Sequence, residues 1–288
     1  MLSLLPLKRA CSSFIEKIAM VDRDRIHHAS KNGEIDEVTW FLSVGISIDC
    51  TDPYGRTSLY YACSAGHFEI VKLLLEQNAD VGVSDFKLGY SPLHLACRRG
   101  FINIADILVK YGANIDARDH HGDTSLCRSE YKIAELLLNH GADINIKDNH
   151  DNTPLHYVSY WGQIDKLCLF LSHGADGTIR NHQNKTALDV ARSRGRMEIV
   201  QELILHCSNF HFKNGHSLLH EALINESYSW MRDVESIINA NFPLLVERDP
   251  LTGLYPFQLA GTRDNDLESG YELLRRAPFL LCQRDILC

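Results

Sequence analysis

The sequence predicts an all-α solenoid of stacked helix-turn-helix units with protruding β-hairpin loops, and three observations carry that expectation. The first is self-similarity: Gly55-Arg56-Thr57-Ser58-Leu59-Tyr60-Tyr61-Ala62 returns thirty-four residues later as Gly89-Tyr90-Ser91-Pro92-Leu93-His94-Leu95-Ala96. The second is a local grammar in which Thr or Ser precedes a short apolar helix, glycine closes it, and a second helix with 3.6-residue periodicity follows. The third is composition: 45% hydrophobic and 23% charged residues in a 288-residue chain match an ordinary globular protein with enough apolar mass for a continuous core.

Taken in order, residues 1–21 read as an N-terminal capping segment, residues 22–214 as about six repeats, and residues 215–288 as two divergent, lengthened repeats with a C-terminal cap. Ile26, Ala29 and Gly33 lie 33 residues before Leu59, Ala62 and Gly66, which makes them the first helix of an early, degenerate copy whose second helix contains Val38, Trp40 and Phe41. Later copies start at Gly122-Asp123-Thr124-Ser125-Leu126-Cys127, Asp151-Asn152-Thr153-Pro154-Leu155-His156 and Asn184-Lys185-Thr186-Ala187-Leu188-Asp189. First helices are expected to close at Gly66, Gly100, Gly162 and Gly195, and second helices at Gly112, Gly141 and Gly174. Ile70, Val71, Leu74 and Leu75 give the second-helix apolar face, repeated by Ile104, Ile107, Leu108 and Val109 and by Ile199, Val200, Leu203 and Ile204. Asp151 and Asn184 replace the hairpin glycine, and both types tolerate a left-handed backbone. Between Thr124 and Thr153 there are only 29 residues, so the fourth copy is expected to lose about a turn of its first helix, Thr124 to Glu130, together with the closing glycine.

Ser91-Pro92-Leu93-His94-Leu95-Ala96 and Thr153-Pro154-Leu155-His156 resemble the T-P-L-H-x-A signature of the ankyrin repeat, and the similarity covers most of the chain. Ser217-Leu218-Leu219-His220-Glu221-Ala222 and Tyr255-Pro256-Phe257-Gln258-Leu259-Ala260 look like two further copies. The resemblance implies that His94, His156 and His220 brace adjacent hairpins, and that hairpin tips and the exposed ends of first helices line a concave partner-binding side.

The remaining features exclude more than they offer. A formal charge of −8 argues against a surface made to neutralise phosphates, so no nucleic acid is expected as partner. No apolar run reaches the length of a membrane span, and no membrane insertion is expected. Met1 to Leu7 is apolar but lacks a preceding basic segment, against a secretory signal, although Lys8, Arg9 and Lys17 leave an organelle-targeting role open. The nine cysteines are dispersed without a C-x-x-C pair, which points to a reduced, cytoplasmic or alternatively nuclear location. Cys63 and Cys97 share one position and read as core residues. Fifteen histidines include His27-His28 and His120-His121, but no metal-ligand spacing, phosphate loop or nucleophile motif is present; no metal, cofactor or enzymatic activity is expected.

The expected function is therefore a non-catalytic protein-protein interaction scaffold. Its partner-binding residues are expected among the positions that packing does not claim: Tyr54, Arg56, Phe86, Lys87, Tyr90, Arg98, Arg99, His121, Tyr160, Trp161 and Arg194. Asn145, just after a Gly-Ala-Asp-Ile segment, occupies the position at which the resemblance implies asparagine hydroxylation. The alternative is a substrate-recognition adaptor of a ubiquitin ligase, since Pro278 to Cys288 is faintly similar to a SOCS-type box with proline in place of its leading leucine.

Overall fold

The computed structural model describes residues 24–207, 219–220, 223, 248–256 and 258, and the chain forms two compact units, Met1–Asn149 and His150–Cys288. The N-terminal cap of residues 1–21, the SOCS-like tail and nearly all of the two lengthened repeats lie outside the described residues.

In the first unit, residues 24–32 form α1, followed by α2 (Ile35–Ser43), α3 (Ser58–Ala65), α4 (Phe68–Glu76), α5 (Pro92–Arg99), α6 (Ile102–Lys110), α7 (Ser125–Arg128) and α8 (Tyr131–Asn139). The second unit contains α9 (Pro154–Trp161), α10 (Ile164–Ser172), α11 (Ala187–Ser193) and α12 (Met197–Cys207). Arg118 and Thr124 form the one β-bridge among the described residues, so the protruding hairpins are tight turns and not strands. Each first helix packs on its own second helix and on the next first helix within its unit, as α5 does on α6, α3 and α7.

Helix starts follow the capping chemistry of the sequence. The Thr57 hydroxyl accepts from the Tyr60 N–H at 3.2 Å, and Ser91 caps His94 in the same way, leaving fewer orphan donors at each N-terminus. Gly66, Gly100 and Gly162 terminate α3, α5 and α9 in the left-handed conformation, whereas α11 is capped by Arg194 with Gly195 just beyond it. Asp151 and Asn184 adopt φ of 59° and 57°, the expected left-handed substitutes for the hairpin glycine.

The core is the recurring apolar strip. Ile26, Ala29, Ala62, Ala96 and Ala191 are inaccessible to solvent, and Ile70, Val71, Leu74 and Leu75 of α4 are all buried. α2 contains Val38, Trp40 and Phe41 as expected, turning Val38 and Phe41 inward and leaving Trp40 54% exposed. Two expectations need correction. In α6 the buried set is Ile104, Ala105 and Leu108, with Ile107 and Val109 half-buried at the edges of the stripe. The shortened first helix stops at Arg128, and Glu130 belongs to the start of α8, where its carbonyl accepts from the Ala134 N–H.

The last correction explains how a 29-residue copy fits among longer ones. α7 has four residues where α3 and α5 have eight, so the whole deletion falls in the first helix. The Glu130 side chain lies beside Gly100, as His67 lies beside Gly33 and Phe101 beside Gly66. The second helix therefore keeps its register against the preceding copy.

Candidate functional site

An acidic or amide side chain, buried or half-buried, organises the hairpin turns. Asp52 Oδ1 accepts from the N–H groups of Tyr54 and Arg56 at 2.8 and 2.9 Å, and Asp119 Oδ1 does the same for His121 and Asp123. Asp85 accepts from Lys87, Leu88 and Tyr90, and Asn181 from Gln183 and Lys185. Asp249 repeats the arrangement, accepting from the Thr252 N–H while its own N–H donates to the Leu254 carbonyl. These turn-forming residues were not singled out in the sequence; their recurrence at 52, 85, 119, 148, 181 and 249 was the available signal.

Neighbouring tips are tied by backbone hydrogen bonds: Phe86 N–H to Tyr54 O, His120 N–H to Leu88 O, and Asn149 N–H to His121 O in the first unit, and His182 N–H to His150 O in the second. The signature histidines add a second tie. His94 Nδ1 accepts from the Ser91 N–H at 3.2 Å, so Nε2 carries the proton and donates to the Asp123 carbonyl at 3.2 Å. His156 does likewise between the Thr153 N–H and the Lys185 carbonyl. Both are buried braces, and His220 is also fully buried. Burial lowers the pKa of His94 below the usual histidine value, against the opposing effect of the Asp123 carbonyl.

On this frame the first unit presents Tyr54, Phe86, Lys87, Arg98, Arg99 and His121 to solvent, with Phe86 72% exposed. Arg56 and Tyr90 are half-buried. The Arg56 guanidinium lies 4.5 Å from the Tyr54 ring centre and is paired with Asp52 at 2.9 Å, while the Tyr61 hydroxyl donates to the same carboxylate. Burial works against the charged Asp52, but hydrogen bonds from the Arg56 N–H, the Tyr61 hydroxyl and the Tyr54 N–H outweigh it and hold its pKa low. The Tyr61 hydroxyl is pushed up to about 12, by burial first and by that bond second. Arg98 lies over the Tyr90 ring and donates to its hydroxyl at 2.9 Å.

In the second unit, Arg194 is 3.9 Å from the Tyr160 ring centre, and Tyr160 meets Trp161 edge to face. Trp161 remains 63% exposed, so its ring is not folded into its own repeat. Asn145 is half-buried in a turn in which its N–H donates to Asp143. Eight of the eleven positions belong to the first unit and three to the second.

Burial pushes the Cys97 thiol up to about 12 and the Cys127 thiol to about 11, which keeps both protonated, and Cys63 is raised by burial as well. Among the described residues no group of three or more His, Cys, Asp or Glu side chains is placed to hold a metal ion, and no helix is long and apolar enough to cross a membrane. A depression of about 300 Å³ beside Arg25, Asp36, Glu37, Trp40 and Phe41 is open to solvent.

Paired helices, histidine-braced hairpins and exposed tips define a helical-repeat interaction protein. Residues 26–119 match the family model for ankyrin repeats in three copies, and residues 134–191 match that for ankyrin repeats in many copies. These matches span more than half of the chain, which belongs to the ankyrin repeat family. Protein phosphatase 1 regulatory subunit 27 of Homo sapiens is 34% identical over 105 residues, 35% of this chain and 68% of that protein. A probable E3 ubiquitin-protein ligase of Oryza sativa subsp. japonica is 35% identical over 69 residues, covering 24% of this chain but 13% of the ligase. Acyl-CoA-binding domain-containing protein 2 of Arabidopsis thaliana is 37% identical over 57 residues, 16% of its length. The chain thus spans only a small part of the last two relatives. Membership of this family makes protein-protein interaction the general role.

Proposed function

We infer that the chain is a non-catalytic scaffold that captures partner proteins through its hairpin tips and the exposed ends of its first helices. The observation that carries this reading is the exposure of Tyr54 and Phe86 on hairpin turns tied to each other by the Phe86 N–H to Tyr54 carbonyl bond, and of Trp161 at the end of α9. Large aromatics held on a rigid support lose little conformational freedom on binding, which is the economy of an interface anchor. Relatedness to a regulatory subunit supports the same reading.

The test is affinity capture from cells with the wild-type chain and with Trp161→Ala and Arg98→Ala. Captured partners should fall at least about fivefold for each variant, while the thermal transition stays within about 2 °C of wild type. Loss of helical signal would instead make these residues structural and remove the inference. The adaptor alternative draws on the probable E3 ligase similarity within the repeats. Recovery of ligase components in the same capture would favour it.

A further inference from the structure

The chain carries a formal charge of −8, yet its charges are not evenly spread over the first unit. From residue 51 to residue 129, hairpins and first helices contain the carboxylates Asp52, Asp85, Asp119 and Asp123, and all four point into turns or ion pairs. Side-chain accessibility is 8% for Asp52 and 1% for Asp123. The exposed cations on the same elements include Lys87, Arg98, Arg99 and Arg118; the first three have no carboxylate partner among the described residues, and Arg118 donates to the Gly122 carbonyl and the Asn149 side chain. Arg56 and Arg128 differ, being held by Asp52 and Asp123. Of the exposed acids, Asp36, Glu37, Glu69, Glu76 and Glu135 sit on the second helices α2, α4 and α8, while Asp80 and Asp143 lie in the loops that leave α4 and α8. Glu130, at the start of α8, is an exposed acid that lies against Gly100, the residue closing α5.

Aromatics interleave with the free cations. Phe86 lies against Gly55 beside Tyr54, with a backbone bond between the two tips, and Tyr90 connects that strip to Arg98. A surface of this kind attracts an anion through Lys87, Arg98 and Arg99 and offers ring faces to apolar or aromatic side chains.

We propose that this face of the first unit, formed by Tyr54, Phe86, Lys87, Tyr90, Arg98 and Arg99, docks an acidic peptide segment carrying aromatic or apolar side chains. The proposal rests on the scaffold reading above and names the chemistry of the partner. Three unpaired cations suit a short run of carboxylates. A single-stranded polynucleotide is the other polyanion such cations could hold, and the test below sets it against the peptide.

The experiment is fluorescence anisotropy of the full chain with a fluorescein-labelled oligoglutamate peptide containing a central tryptophan, at low and at high salt, with oligolysine and single-stranded oligodeoxythymidine as comparison probes. The acidic peptide should bind and weaken with salt, and Lys87→Glu, Arg98→Glu and Arg99→Glu combined should reduce affinity at least about tenfold. Lys72→Glu, Lys110→Glu and Lys132→Glu on the second helices should change it less than about threefold. If the reversed variant folds poorly, Lys87→Gln with Arg98→Gln and Arg99→Gln should show the same loss in smaller measure. Unchanged affinity in the face variant, equal loss in the second-helix variant, or tighter binding of oligodeoxythymidine than of the peptide would each overturn the proposal. Failure to bind the acidic peptide while Arg98→Ala still loses partners in cells would sink this proposal and leave the scaffold reading standing.

Discussion

The repeat begun by Ser91 and the one begun by Thr124 solve the same packing problem with different amounts of helix. α5 is eight residues long and buries six of them, from Pro92 to Cys97; α7 has four residues and buries Ser125 and Leu126. α5 is fastened at both ends, by the Ser91–His94 capping pair and by left-handed Gly100. In α7, Cys127 stands at the position of His94 and its thiol meets the Thr124 hydroxyl at 3.6 Å, while Ser129 closes the helix in extended conformation. The Arg128 guanidinium compensates by clasping the buried Asp123 carboxylate. The second helix and the hairpin are thus the invariant parts of a copy, and the first helix is the part whose length and exposed end can change. Its free arginines in one repeat and its consumed arginine in the next show that surface and scaffold draw on the same positions.

Substitutions can break this contrast, beginning with the strongest. Leu93→Ala removes a fully buried side chain from the longer helix and should cost about 2–5 kcal/mol, read as a drop in the urea midpoint at unchanged helical content at low denaturant. Gly122→Ala comes next. Its backbone is left-handed at φ of 81°, and an added Cβ would lie 2.7 Å from the Asn149 amide nitrogen, which should destabilise by about 1–3 kcal/mol. Asn184→Gly at the equivalent turn should leave the midpoint unchanged or raise it, since glycine relieves the cost of a left-handed backbone and so offsets the entropy it adds to the unfolded chain. A lowered midpoint for Asn184→Gly would show that its side chain is needed there.

Arg128→Ala should cost about 1 kcal/mol, because it strips a half-exposed partner from a carboxylate that stays buried. Arg98→Ala should leave thermal unfolding nearly unchanged, and equal losses from the two arginines would erase the distinction between them. The smallest effect concerns pH. His94 and His27 both have pKa values lowered by burial, so below about 6.5 the unfolded chain binds protons that the folded chain refuses. Stability should be complete above that pH and fall as the solution is acidified through the lowered folded values. His94→Asn should flatten the decline of melting temperature between about pH 6.5 and 5; an unaltered decline would assign it to other groups.

Much of the fold was legible because its determinants are close in sequence. A cap, a first-turn proline, a left-handed glycine and apolar residues at helical spacing act within a turn or two, and they located α3, α5 and α9 together with their ends. Trp40 and Glu130 were less legible. Whether Trp40 enters the core depends on the rotation of α2, and Glu130 could be assigned to α8 only through its place beside Gly100, thirty residues away. The surface residues were legible as positions left over from packing, but not in their condition.

By itself the sequence determined the repeat period, the helix pairs, the buried strip and the family, because repetition averages a weak local signal over several copies. Tertiary structure decided which polar side chains are available. Arg98 and Arg99 stay unpaired while Arg56 and Arg128 serve turn carboxylates, and Asp52, Asp85, Asp119 and Asp123 contribute hydrogen bonds and not exposed charge. The physical reason is that desolvation and ion pairing depend on what the folded turn and the neighbouring copy bring within a few ångströms, whereas helix signals depend only on the next few residues along the chain.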